Sequence, residues 1–387
     1  MNTTPKARST SSNLLRTSSL TFAVAFAALV AATGGAQAQD KWVVGQSAPL
    51  TGGNAKFGID IRDGAKAYFD QVNANGGVQG RAIEFVTIDD KNDRKIAGAN
   101  TKTLLENKNL LALFGFASAT LSLDALPQAE AKEVAFFAPF SGANPVRTKS
   151  PVLFTARASY GEEMEKILNF WTSLGFKKVS VIHYDDEVGK QNLDVVTAYL
   201  KKINLEPKAF SLKRNATIGK AEVDALVAQQ PEVLLNTTLS GAAADIQKGL
   251  ISMGRMVPMS SISFVGADQF AKAAGEAGAG VSISQVVPSP TAQIPVVREC
   301  AKALEAAGVK GAMNTTQLEA CFAAKILVEG IRRAKSPVTA KAVLDSLSNL
   351  GTYDLGGFRV TYSPGNHHGN QFVELARVTR EGRLLTR

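Results

Sequence analysis

Cysteine and histidine are scarce, with two and three residues in a chain of 387. There is no paired Cys–Cys spacing of a zinc site and no H-E-x-x-H. His367 and His368 lie beside Ser363-Pro364-Gly365-Asn366, whose composition marks a turn. No metal is therefore expected. The chain also lacks a G-x-S-x-G elbow and a Walker A loop, which argues against a hydrolase or a P-loop enzyme. No catalytic residue and no cofactor is expected. The formal net charge of +9 is scattered without an aromatic-interleaved basic stripe, so nucleic acid is not an expected partner. Beyond residue 38 no apolar run approaches the roughly 20 residues that a membrane-spanning helix needs.

What is present begins with an address. Lys6, Arg8 and Arg16 form a basic n-region, residues 20–32 are apolar, and Ala36-Gln37-Ala38 fits a signal-peptidase site. Residues 1–38 read as a cleavable signal peptide, and the mature chain, starting at Gln39, is expected in the periplasm. No cysteine follows the cut, which argues against a lipid anchor. In that oxidising compartment Cys300 and Cys321 read either as a disulfide or as two buried thiols on neighbouring helices; helical spacing alone does not decide. At 45% hydrophobic and 20% charged residues, the composition is ordinary globular and leaves enough chain for two cores.

The informative stretch is residues 110–147. An apolar run at 110–114 reads as a buried strand, followed by a loop of small and hydroxyl residues. A helical pattern through Leu121, Ala125 and Ala129 comes next, then a second apolar run at 134–137 and a second loop, Ser141-Gly142-Ala143-Asn144. This βαβ order places both loops at one carboxyl edge of a parallel sheet, where ligands of open α/β sheets bind. Ser118, Thr120 and Ser141 then present hydroxyls to one crevice, with no acid–base pair beside them. Similar βα alternation runs from residue 42 to 115 and restarts after Pro151, with strands at 152–155, 178–183, 208–212, 232–236 and 262–265. Helices at about 295–307, 315–334 and 338–349 and strands at 358–362 and 371–378 complete the pattern. Two series of βα units imply an α/β protein with two doubly wound, Rossmann-like lobes.

Several short motifs stand in a characteristic order: Ala48-Pro49-Leu50-Thr51-Gly52 with Phe57-Gly58, Asn75-Gly76-Gly77-Val78-Gln79-Gly80, Asp89-Asp90, and Phe114-Gly115. Pro139-Phe140-Ser141-Gly142-Ala143, Asp185-Asp186 with Gly189, Phe264-Val265-Gly266-Ala267-Asp268, and Val286-Val287-Pro288-Ser289-Pro290 follow. Together they resemble the periplasmic solute-binding proteins of the leucine/isoleucine/valine-binding type, which serve ABC importers. The resemblance covers essentially the whole mature chain. It implies the type I periplasmic-binding-protein fold: two lobes joined by three crossover segments, near 157–161, 284–290 and 351–357. The implied lobes are 40–157 plus 286–350 and 158–285 plus 351–387. A monomer delivering a small-molecule ligand to a membrane permease is implied as well.

The same resemblance implies a ligand site. The loop with Ser118, Ala119 and Thr120 and the loop with Ser141, Gly142 and Ala143 would grip a carboxylate, and Asp268 would take an ammonium. Phe57 would form an aromatic wall. In the second lobe Val188 and Leu239 stand where ligand-contacting members usually carry Tyr or Phe, so stacking and a phenolic hydroxyl are given up there. Asp186 and Thr238 line the same edge as alternative polar contacts. The expected solute is an amino acid of branched-chain or related type; an aromatic or other organic carboxylate, an amide, or a role as a ligand sensor for a membrane receptor are the alternatives.

Overall fold

The computed structural model describes residues 40–214 and 216–386; the expected signal peptide lies outside them. Strands β1 (Trp42–Ala48), β2 (Ile83–Asp89), β3 (Leu110–Phe114), β4 (Ala135–Phe137) and β5 (Leu153–Phe154) form a parallel sheet of order β2-β1-β3-β4-β5. Every residue of β1 and β3 is buried, as expected of strands covered on both faces. The two polar residues of β1 are satisfied inside: Gln46 Nε2 donates to the Gly115 carbonyl (3.0 Å), and Ser47 Oγ to Asp90 (3.0 Å). Gly115 has φ +65°, a left-handed turn that lets the chain leave β3 beneath Phe140.

Helices α1 (Ala55–Ala74), α2 (Arg94–Leu105) and α3 (Ala119–Ala131) connect these strands. Asp93 starts α2 by accepting from the N–H groups of Lys95 and Ile96. The second sheet contains β6 (Val179–Tyr184), β7 (Lys208–Leu212), β8 (Val233–Asn236), β9 (Met259–Ser261) and β10 (Ser282–Gln285). They run parallel in the order β7-β6-β8-β9-β10, repeating the first sheet's order. Its helices are α4 (Tyr160–Ser173), α5 (Glu187–Lys201), α6 (Lys220–Ala228), α7 (Ser240–Ser252) and α8 (Ala267–Ala274). A capping box starts α4: Ser159 Oγ accepts from the Glu162 N–H (3.1 Å), and Glu162 returns the bond to the Ser159 N–H (2.6 Å).

The chain then returns to the first sheet with α9 (Pro295–Ala306), α10 (Thr315–Arg333) and α11 (Ala340–Ser348). An antiparallel hairpin of β11 (Gly351–Asp354) and β12 (Arg359–Tyr362) follows, then β13 (Glu374–Val378) and β14 (Leu384–Thr386), which close the second sheet antiparallel. Residues Lys41–Arg387 belong to one unit, and the chain passes between the sheets three times. The first two passages run at residues 155–159 and 286–294. The third differs. It runs through residues 363–373, because the hairpin buries Leu355, Phe358, Val360 and Tyr362 in the first core.

One expected strand also differs. Residues 262–265 are not a strand: β9 ends at Ser261, and Ser263–Val265 form a short 3₁₀ turn. The buried carboxylate of Glu163 takes the Ser263 N–H (2.6 Å) and hydroxyl (2.9 Å), so this backbone is turned away from the ladder.

Cys300 and Cys321 form a disulfide that ties α9 to α10, with their Cα atoms 6.0 Å apart. Close packing of α1 on α10 is decided at Gly64, where a Cβ would lie 2.2 Å from the Gln317 carbonyl oxygen. Replacing both cysteines by serine should lower the unfolding free energy by about 2–4 kcal/mol in urea titrations, and reductant should do the same to the wild type only. Gly64→Ala should cost roughly 1–3 kcal/mol or more through overpacking, read in the same titration as a lower midpoint.

Candidate functional site

In each sheet the strand order reverses direction once, between β1 and β3 and between β6 and β8. Ligands of open α/β sheets bind beyond the carboxyl ends at such points. The loops after β1 and β3 and the loops after β8 and β9 line one cavity of about 210 Å³. That is smaller than the roughly 300–1,000 Å³ of drug-sized sites and suits a small solute.

One wall is apolar. Phe57 and Phe140, which meet edge to face with centroids 6.2 Å apart, supply the first sheet's side. Leu239, Phe264 and Val265 supply the other, and Val286 and Val287 of the second crossover close the end. Phe264 is held by Tyr160, with ring centroids 5.8 Å apart. Among the twelve residues expected at a ligand site, Phe57, Ser118 and Leu239 line this cavity. Ser118 precedes α3 in extended conformation and makes no side-chain capping bond, leaving its hydroxyl beside the helix's first N–H groups.

The other expected residues are placed differently. Ala119 is buried at the start of α3, and Thr120 is exposed. Ser141, Gly142 and Ala143 are buried beneath Tyr160: Ser141 Oγ accepts from the Ala143 N–H (3.2 Å), and the Gly142 carbonyl accepts from the Tyr160 N–H (2.8 Å). Thr238 is fully buried and gives its hydroxyl to Asn236 Oδ1 (2.6 Å). Asp186 caps α5 by accepting from the Gly189 N–H (2.9 Å) and pairs with Arg214, with Val188 half-buried in the same turn. Asp268 stands exposed in the first turn of α8 and caps nothing. Its carboxyl is pushed up by local burial first and by the charge of Asp60 second, with Lys56 opposing.

The polar end of the cavity was not singled out by the motifs. Arg157, Tyr160, Ser263, Gln285, Thr315, Thr316 and Glu319 line it. Arg157, in the first crossover, has a side chain only 6% exposed, with Glu163 at 3.4 Å, Glu319 at 3.5 Å and a hydrogen bond to Ser263 Oγ. Burial works against its charge, and Glu319 and Glu163 outweigh that, so its pKa is raised. Thr315, Thr316 and Glu319 share one face at the start of α10, a spacing of three and four that a helical reading of this segment contains.

The loop after β1, which leads into the first turn of α1 with Lys56 and Phe57, is tied down by Asp89. That carboxylate accepts from Thr51 Oγ1 (2.6 Å) and from the N–H groups of Leu50 (2.8 Å) and Lys91 (2.9 Å). The Thr51 hydroxyl is the largest cause, and the backbone donors add to it, holding Asp89 at about 2.

With this geometry in view, three kinds of relative are informative. Residues 41–383 match the family model described as periplasmic binding protein. The "Amino acid binding protein" of Pseudomonas aeruginosa is 26% identical over 240 residues, 60% of this chain and 63% of that protein, so the match spans less than two thirds of its length. The "Leu/Ile/Val-binding protein homolog 1" of Brucella abortus is 25% identical over 67% of this chain and 70% of its own. A crystal structure of a substrate-binding periplasmic protein from Ralstonia solanacearum superposes with a TM-score of 0.82 at 29% identity, covering 90% of this chain and all of that one. The chain belongs to the periplasmic binding protein family and has its type I fold of two α/β lobes.

The ordinary Asp pKa of an unfolded chain is about 3.9. The stability supplied by Asp89 is therefore complete above that value and lost as pH falls from there toward about 2. Asp89→Asn should narrow the wild-type advantage in urea unfolding across that window, and a constant difference there would refute the role. A Cβ on Gly142 would lie 2.6 Å from the Tyr160 ring, so Gly142→Ala should push this loop from Tyr160 and lower the thermal midpoint by several degrees.

Proposed function

We propose that this member of the periplasmic binding protein family captures a small carboxylate-bearing solute, an amino acid of branched-chain or related type, in the cavity between its lobes. Delivery of that solute to the membrane permease of an ABC importer completes the reading. The observation that carries it is the pairing of an uncommitted hydroxyl at a helix start with an apolar wall. Ser118 and the first N–H groups of α3 suit a carboxylate, which accepts several hydrogen bonds and is favoured at a helix N-terminus. Phe57, Phe140, Leu239 and Phe264 suit an aliphatic or aromatic side chain in contact with no hydrogen-bonding group. The relatives named for amino acids and for leucine, isoleucine and valine support the same class.

On this reading the lobes close about the three crossovers, and the ligand biases closure by touching both. The first lobe comprises the first sheet with α9 to α11 and the hairpin; the second comprises the second sheet with its helices. Ser118 acts in the first encounter. Leu239 and Phe264 are met from the second lobe, and Asp268, facing Asp60 and Lys56 at the rim, acts on lobe approach. Ser141, Gly142 and Ala143 support the site from below through Tyr160, and Asp186, Val188 and Thr238 shape the second lobe's loops. An amine-free organic acid is the second reading, favoured by Lys56, Arg157 and Arg214 all lining the cavity.

A thermal-shift screen of residues 39–387, refolded once to strip ligand, tests the class. A solute at about 100 times its Kd stabilises the native state by roughly 2.7 kcal/mol. L-Leucine, L-isoleucine or L-valine should raise the midpoint, and Ser118→Ala should weaken that ligand roughly tenfold or more. A shift with amine-free acids alone would select the second reading, and silence with every carboxylate would overturn the proposal.

A further inference from the structure

We infer that Glu319, and not Asp268, is the specificity-determining receptor for a cationic group on the ligand, so that the solute is a zwitterion lying with its ammonium toward the first crossover. The inference rests on the proposed capture of a small carboxylate and deepens it by naming the second charge.

Three ionisable groups meet at the polar end of the cavity: Arg157, Glu163 and Glu319. Glu163 is completely buried and already accepts from Ser263 N, Ser263 Oγ, Ser284 Oγ and Arg157. Glu319 has none of these donors. It accepts no hydrogen bond from the described residues, and its one ionic neighbour, Arg157 at 3.5 Å, is shared with Glu163. One guanidinium between two carboxylates leaves an excess negative charge. Glu319 lines the cavity and its side chain is 12% exposed, so that excess faces the ligand space.

The other charged side chains that line the cavity are each paired. Lys56 pairs with Asp60, and Arg214 with Asp186. A buried carboxylate without donors is costly, and burial pushes the Glu319 carboxyl up accordingly. A ligand ammonium supplies both the missing positive charge and up to three donors. Thr315 and Thr316, one turn earlier on the same face, flank the position. Asp268 does not line the cavity, and its charged neighbours are Asp60 and Lys56.

The test is a binding cycle by titration calorimetry with L-leucine and its amine-free partner, 4-methyl-2-oxopentanoate. Wild type should prefer L-leucine. Glu319→Gln should lose roughly ten- to hundredfold for L-leucine and little for the oxo acid, collapsing the preference, whereas Asp268→Asn should keep it. Glu319→Asp, which keeps the charge and shortens the reach, should fall between. L-Leucine binding unchanged in Glu319→Gln would overturn the inference and leave the proposed carboxylate capture standing. Preference for the oxo acid in the wild type would overturn the inference and the amino-acid reading together, as would binding of neither probe. Should both Glu319 variants fail to fold, a crystal structure of the wild-type complex decides. A ligand nitrogen within about 3.2 Å of Glu319 supports the inference, and one beyond about 3.5 Å from it overturns it.

Discussion

One buried carboxylate organises the centre of this molecule. Glu163 lies on α4 with no exposed surface and gathers four donors: the Ser263 N–H at 2.6 Å, the Ser263 and Ser284 hydroxyls at 2.9 and 2.6 Å, and the Arg157 guanidinium at 3.4 Å. A buried charge persists only where it is paired and hydrogen-bonded. Meeting that demand joins α4, the turn after β9, strand β10 and the first crossover at one point. The turn at Ser263 aims Phe264 at the Tyr160 ring, and the anchored guanidinium becomes the polar end of the cavity.

The cavity itself is a consequence of repeated topology. Both parallel sheets have the same strand order, so each opens a crevice at its own switch point, and the crossovers bring the two crevices together. The aromatic residues Phe69, Phe85, Phe114, Phe137 and Phe154 give the first sheet a continuous ring-packed core, extended by Tyr362 of the hairpin. That packing explains why the hairpin, a two-stranded sheet of its own, lies against the first core. The Tyr362 hydroxyl donates to the Thr155 carbonyl (3.1 Å), so the third passage cannot begin until after it. The first and third passages then lie side by side: the Thr155 N–H donates to the His367 carbonyl (2.9 Å).

Local signals carried most of the fold. The buried runs of β3 and β4 and the helical spacing of Leu121, Ala125 and Ala129 each act within one segment, so they are readable without neighbours. The strand expected at 262–265 failed because its backbone N–H is claimed by Glu163, about a hundred residues earlier in sequence. The site was legible where loops carry it. Ser118 and Leu239, at the loop ends that start α3 and α7, and Phe57, in the first turn of α1, reach the cavity. Ser141, Thr238 and Asp186 lie on equivalent loops, yet their polar atoms are occupied by the Ala143 N–H, Asn236 and Arg214.

The amino-acid sequence by itself determined the two doubly wound series, because periodicity and turn chemistry are local, and its ordered short motifs carried the resemblance to the family. Tertiary structure alone decided that the two cysteines are bonded, that the third passage follows the hairpin, and that Arg157 meets Glu319 across 162 positions of sequence. The physical reason is common to all three. Each depends on which distant backbone comes within a few ångströms, and a buried charge or a ring is satisfied by proximity in space, for which adjacency in the chain is no guide.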